Sequence, residues 1–249
     1  MSTSLPHYPG LLVDALPILP ILFSERPRSA HADSARIASR LQPPPQVYGS
    51  IPSLRRCLLL VNHYGRPGFP SWWLGVSVSS IIPREIHWVM TSVWRFERGW
   101  RARVLTPLTR WFFQRIAQVY NFTTMPPMPP RPEEMLARTA SIRHLLRAVE
   151  TRPEIFVGLA PEGDDCEQRV LGTPPPGAGR LIQLLTSRGL IPVPVGIYEQ
   201  AGALHIRFGE PIQLLPSRNP GQQDDGWMIN TVMRAIASCL PEELRGKYA

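Results

Sequence analysis

Two short apolar runs that end in turns limit this chain more than any other feature. Cys57-Leu58-Leu59-Leu60-Val61 gives out into Asn62-His63 and a turn rich in glycine and proline, Tyr64 to Pro70. About a hundred residues on, Ile155-Phe156-Val157-Gly158-Leu159 ends in Ala160-Pro161-Glu162-Gly163-Asp164-Asp165. Uninterrupted apolar runs of this length read as buried strands. Each then delivers polar groups to the C-terminal edge of the sheet, where open α/β sheets place their ligands.

The rest of the pattern alternates helix and strand. Ser71 to Ile82 fits a helix and Ile86 to Met90 a strand. Gly99 to Val119 is helical by its apolar spacing of three and four, at Leu105, Leu108, Phe112, Ile116 and Val119. Pro126 to Pro132 is a loop, and Pro132 suits the first turn of a helix running through Glu150. Gly179 to Ser187 reads as a short helix, Ile191 to Ile197 as a strand, and Ala203 to Phe208 as an outer strand by its alternation. Met228 to Leu240 closes the chain as an amphipathic helix. Such alternation predicts an α/β sheet with helices on its faces. Residues 51–249 form one domain in this reading, and residues 1–50 an N-terminal arm with Pro43-Pro44-Pro45 as a stiff linker. The apolar stretch Gly10 to Phe23, broken by Asp14, Pro17 and Pro20, either lies on a membrane or packs on the domain.

Composition bounds the partners. The formal charge is +8, and Lys247 is the only lysine among 27 basic residues. A GC-rich coding sequence accounts for the arginine bias, yet a positive surface still draws anions. No run of roughly 18 uncharged apolar residues is present, so no transmembrane helix is expected. The N-terminus lacks the basic region and cleavage site of a secretory signal. Cys57, Cys166 and Cys239 are far apart and odd in number, which predicts a reduced protein without a metal site.

Few groups are placed for chemistry. A histidine after a strand can act as a general base, because its unperturbed pKa lies near neutrality. His63 fits that role, and a structural histidine is the alternative. Glu162 either faces a cleft or caps backbone amides as an ordinary turn acid, with Asp164 and Asp165 adding charge beside it. His7, His31, His87, His144 and His205 lie in less suggestive contexts. Gly75-Val76-Ser77-Val78-Ser79 lacks the last glycine of a nucleophile elbow, and Gly246-Lys247 is no phosphate loop. From Trp88 to Phe113, Trp94, Trp100 and Trp111 alternate with Arg95, Arg98, Arg101, Arg103 and Arg110. Aromatic bodies with cationic tips suit a lipid interface, a core-facing helix, or single-stranded nucleic acid.

These residues together resemble the phospholipid and glycerol acyltransferases typified by lysophosphatidic acid acyltransferase, over about residues 55–248. Val61-Asn62-His63 is similar to the block in which Asn-His opens a His-x-x-x-x-Asp motif, and Leu159-Ala160-Pro161-Glu162-Gly163 to the Pro-Glu-Gly block. Gly177 to Leu185 with Ile191 to Gly196, and Phe208-Gly209-Glu210-Pro211-Ile212, resemble two later blocks. The resemblance implies a glycerol-phosphate-acyltransferase-like α/β fold, a mixed sheet flanked by helices. It implies transfer of a fatty acyl chain from acyl-CoA or acyl carrier protein to a lipid hydroxyl, with no further cofactor. His63 and Glu162 are then catalytic, and Asn62, Arg66, Pro161, Gly163 and Asp164 bind substrate. Its partners are a lipid acceptor, the acyl donor and a membrane surface, with no nucleic acid, and its place is cytoplasmic, peripheral on the inner face of the cell membrane.

The chain also departs from the pattern. Gly68 stands where the family has its aspartate, and Asp164-Asp165-Cys166 where it has Thr-Arg-Ser. That shifts the expected acceptor from lysophosphatidic acid to an uncharged or sugar-bearing lipid, with Arg66 as a displaced phosphate contact. The rival expectation is a non-catalytic lipid- or acyl-binding protein of the same fold.

Overall fold

A computed structural model describes residues 5–6, 8, 22–24, 26–69, 71–129, 131–163, 169–214 and 225–249. Among these residues, seven strands form one sheet: β1 (Gln46–Tyr48), β2 (Arg56–Val61), β3 (Ile86–Thr91), β4 (Thr123–Met125), β5 (Ile155–Leu159), β6 (Ile191–Gln200) and β7 (Ala203–Phe208). Their order is β1-β7-β6-β2-β5-β3-β4. β6 and β7 pair antiparallel and all the other neighbours pair parallel. Among the described residues, six α-helices flank the sheet: α1 (Ala30–Ala38), α2 (Trp72–Ile81), α3 (Gly99–Tyr120), α4 (Met135–Thr151), α5 (Ala178–Thr186) and α6 (Asp225–Ser238). The expected mixed α/β fold is therefore the one observed.

The two apolar runs lie side by side. β2 and β5 pair from Arg56↔Ile155 to Leu60↔Leu159, and Cys57 through Val61 are almost completely buried. Covered on both faces, they need no polar alternation. β6 is a central strand that carries Pro192 and Pro194, residues that cannot donate to a ladder. Its pairing explains how. Both prolines sit opposite β2, and β7 joins only from Val195 onward. On the side facing away from β2, Gly209 and Ile212 donate their N–H groups to the Pro194 and Pro192 carbonyls at 2.9 and 2.8 Å. No proline N–H is needed there.

One element corrects the local reading. β7 alternates like an outer strand, but β1 pairs along it and makes it an inner one. α1 lies within residues 1–50 and packs against α2, with Ser29 capping its first turn through Ala32 N–H at 3.0 Å. Asp33 of α1 is buried and held by Arg28, Arg36 and Tyr120. Among the described residues no helix is long and apolar enough to cross a membrane.

Candidate active site

The parallel strands β2, β5, β3 and β4 end on one edge of the sheet, and the loops that follow them build a cleft of about 1380 Å³. Asn62 and His63 enter it from β2, Ala160, Pro161 and Gly163 from β5, Arg95 from the loop after β3, and Met125 from β4. α2 and α3 supply further walls through Trp72, Val76, Phe113 and Ile116. The lining is mainly apolar, with arginines 95, 131 and 138 on the wall.

Asn62 extends the β2–β6 ladder with its side chain. Its Nδ2 donates to the Ile197 carbonyl at 2.9 Å, and its Oδ1 accepts the Ile197 N–H at 2.7 Å. A primary amide reproduces the donor and acceptor of a peptide group, so an asparagine can pair like one more ladder residue. The next N–H turns toward β5: that of His63 donates to Glu162 Oε1 at 2.6 Å. The other carboxylate oxygen of Glu162 accepts the Gly172 N–H at 2.5 Å. One acid thereby joins the turn after β2, the turn after β5 and the segment leading to α5.

Glu162 is 4% exposed, and it is not among the described residues that line the cleft. Burial pushes its carboxyl up, while the His63 and Gly172 amides and the nearby imidazole hold it down; burial prevails. His63 itself lines the cleft, half-buried, with its Nδ1 inside. Gly163 has φ of +68°, closing a turn in which its N–H reaches the Ala160 carbonyl at 3.2 Å.

The remaining sequence candidates are distributed differently. Arg66 forks onto Glu199, one arm at 2.8 Å, and its side chain is only 8% exposed. It does not line the cleft among the described residues. Asp164 lies outside the described residues. Gly68 has φ of +76°, which side-chain-bearing residues rarely adopt.

Several cleft residues had no signal in the sequence. Trp88 lies flat over Gly158 of the neighbouring strand, where an added Cβ would meet the indole at 2.3 Å, and its Nε1 donates to Ser79 Oγ at 2.8 Å. Arg138, on the cleft wall, donates to the Met128 sulfur at 3.1 Å, a weak acceptor. Only the pairing of loops from distant strands reveals these neighbours. Among the described residues no group of three or more His, Cys, Asp or Glu stands together as a metal site.

No family model and no curated protein matches the chain in sequence. Among solved structures it is similar to the 1-acyl-sn-glycerophosphate (LPA) acyltransferase PlsC from Thermotoga maritima, with a TM-score of 0.52 at 13% identity. The likeness covers 88% of this chain and 80% of that one. At that identity it concerns the fold, an acyltransferase-like arrangement of sheet and helices.

Proposed function

We propose that the protein is an acyltransferase that moves a fatty acyl chain from acyl-CoA or acyl carrier protein to a lipid hydroxyl, with His63 as general base. The observation that carries this reading is the joint placement of the His63 and Glu162 turns at the mouth of a large apolar cleft. The fold likeness to an acyltransferase supports it independently.

The chemistry needs little more. The imidazole takes the hydroxyl proton as the oxygen attacks the thioester carbonyl. The C–S bond then breaks, and the leaving thiolate recovers the proton from the imidazolium. A thioester is already activated, so a positioned base and an oriented acceptor suffice without a covalent enzyme intermediate. The acyl donor is a co-substrate, and no separate cofactor takes part. Asn62 and Glu162 act by holding the main chain on either side of the base. Pro161 and Gly163 shape the acceptor side of the cleft, with Asp164 following in sequence. Arg131 and Arg138 take over the anion contact that Arg66, engaged with Glu199, and Arg95, engaged with Glu134, do not offer.

The substrates imply a membrane surface, and α3 is suited to meet one. Trp100, Val104, Leu108 and Trp111 are exposed along it at spacings of three and four, and its 22 residues include four arginines and no acid. An amphipathic helix of this kind lies at an anionic lipid interface. The protein is accordingly peripheral, on the inner face of the cell membrane. Trp100→Asp/Trp111→Asp is expected to abolish sedimentation with phosphatidylglycerol vesicles while leaving the melting temperature unchanged. Equal sedimentation of both proteins would remove α3 from this role.

The test of the reaction is incubation of the purified protein with radiolabelled acyl-CoA, or acyl carrier protein, and a mixture of lipid acceptors. A labelled lipid product that requires His63 supports the proposal. Stoichiometric retention of label without product, indifferent to His63→Ala, would instead establish a non-catalytic acyl-binding protein.

A further inference from the structure

The chain after β2 alternates about His63. Asn62, Tyr64 and Arg66 all turn toward β6, whereas His63 lines the cleft. Asn62 grips Ile197, and two residues further along the same strand Glu199 grips both Tyr64 and Arg66. The first grip is on the Ile197 main chain and the second on the Glu199 side chain, so the end of β6 holds the segment before and after the histidine.

The second grip is built around one buried carboxylate. Arg66 forks onto both oxygens of Glu199, the Tyr64 hydroxyl donates to Oε2 at 3.0 Å and the Tyr8 hydroxyl to Oε1 at 2.8 Å. The side chains of Arg66 and Glu199 are 8% and 3% exposed. Burial works against the charge on Glu199, but the guanidinium and hydroxyl donors outweigh it and keep the carboxyl below its ordinary range. Burial and the neighbouring carboxylate push Tyr64 up to about 12, so it stays a donor. The ring of Phe69 closes the turn, edge-on to Tyr64 and Tyr8 with centroids at 5.2 and 5.4 Å.

We infer that Glu199 and Arg66 are the positioning pair for His63, clamping the turn so that the imidazole is presented to the cleft in one geometry. The inference rests on the reading of His63 as the base. Beside Glu162, which holds the His63 main chain, a second carboxylate orders the histidine turn from β6, 136 residues downstream of the base, through the side chains of Tyr64 and Arg66. Glu199 is a positioning residue and touches no reacting atom.

The test is a double-mutant cycle of Arg66→Gln and Glu199→Gln, with melting temperature, kcat, KM and hydrogen exchange of residues 62–69 measured for each protein. Either single variant leaves one buried group without its partner and lowers the melting temperature, and the double variant recovers much of that loss. A pair that served stability alone would recover activity with it. A positioning pair would not: the double variant is expected to keep KM and lose about a hundredfold in kcat, as displaced catalytic groups do. Its 62–69 amides exchange faster than in the wild type. Wild-type kcat in the double variant, or unchanged exchange in that segment, overturns the inference. Should the single variants not fold, Tyr64→Phe removes one donor only and is expected to move both readouts in the same direction; no movement in either overturns it as well. A wild type without any turnover would end the acyl-transfer reading, and the exchange result would then decide the clamp alone.

Discussion

The Glu162 carboxylate accepts the main-chain N–H of His63 at 2.6 Å across ninety-nine residues of sequence. Its second oxygen holds Gly172, so the acid fixes two loops relative to each other from inside the protein. That arrangement makes Glu162 a keystone of the site's shape, and its removal should be felt in folding before it is felt in chemistry.

Glu162→Ala leaves two partly buried amides without their carboxyl acceptor. Hydrogen bonds to charged groups contribute about 1.5–3 kcal/mol each, so a loss of about 3 kcal/mol in urea unfolding is expected. Glu162→Gln keeps one acceptor oxygen but turns an NH₂ toward the other amide, and should be nearly as costly. Wild-type stability in either variant would show that the contact is unimportant.

An acid introduced at position 68 should not improve the protein. A Cβ at position 68 would lie 3.8 Å from the Arg66 guanidinium, so an introduced carboxylate competes with Glu199 for that arginine. The positive φ adds a cost of about 1 kcal/mol for a side-chain-bearing residue. Gly68→Asp is expected to lower the melting temperature and to leave kcat at or below the wild-type value. A rise in kcat would mean that the new acid reaches the imidazole.

Gly158→Ala should disturb the cleft from beneath. The added methyl meets the Trp88 ring at 2.3 Å, and Trp88 can yield only by moving into the cavity it lines. Overpacking of this kind costs about 1–3 kcal/mol. The narrowed cleft is expected to shift acyl preference toward shorter chains, read as kcat/KM across a series of acyl-CoA lengths. An unaltered profile would place the acyl chain away from Trp88.

Acid should weaken the fold through His87. Burial, then the charges of Arg152 and His144, lower its pKa from 6.5 to about 4, while its Nε2 lies 2.8 Å from Thr123 Oγ1. The unfolded chain binds the proton more readily than the native one, so this contribution is complete above pH 6.5 and is lost as pH falls toward 4. The loss across that window is about 3 kcal/mol, at about 1.4 kcal/mol per pH unit. Comparing urea unfolding of the wild type and His87→Asn at both pH values isolates it: the wild type should show the steeper decline. Parallel declines would contradict the assignment.

Much of the architecture was readable from the chain because its strongest elements are unambiguous. β2 and β5 are uninterrupted apolar runs, and α3 carries a clear helical period. β1 and β4, at three residues each, are too short for any period, and α1 reads as polar because its buried residues include Asp33 and Ser34. The meeting of the His63 and Glu162 turns was expected, since both follow buried strands, but the direction of the Glu162 side chain was not. Proline and glycine around it mark a turn without saying which side faces the core. Arg66 was legible only as a nearby cation. Its partner Glu199 lies at the far end of a strand whose register is set by tertiary pairing.

The central claim is that His63 removes a proton from an acceptor hydroxyl in the cleft. The most direct measurement is the rate of coenzyme A release from acyl-CoA, in the presence of lipid acceptors, by the wild type and by His63→Ala at equal melting temperature. The account predicts acceptor-dependent release by the wild type and a fall of about a hundredfold or more in the variant. Equal rates in the two proteins would contradict it.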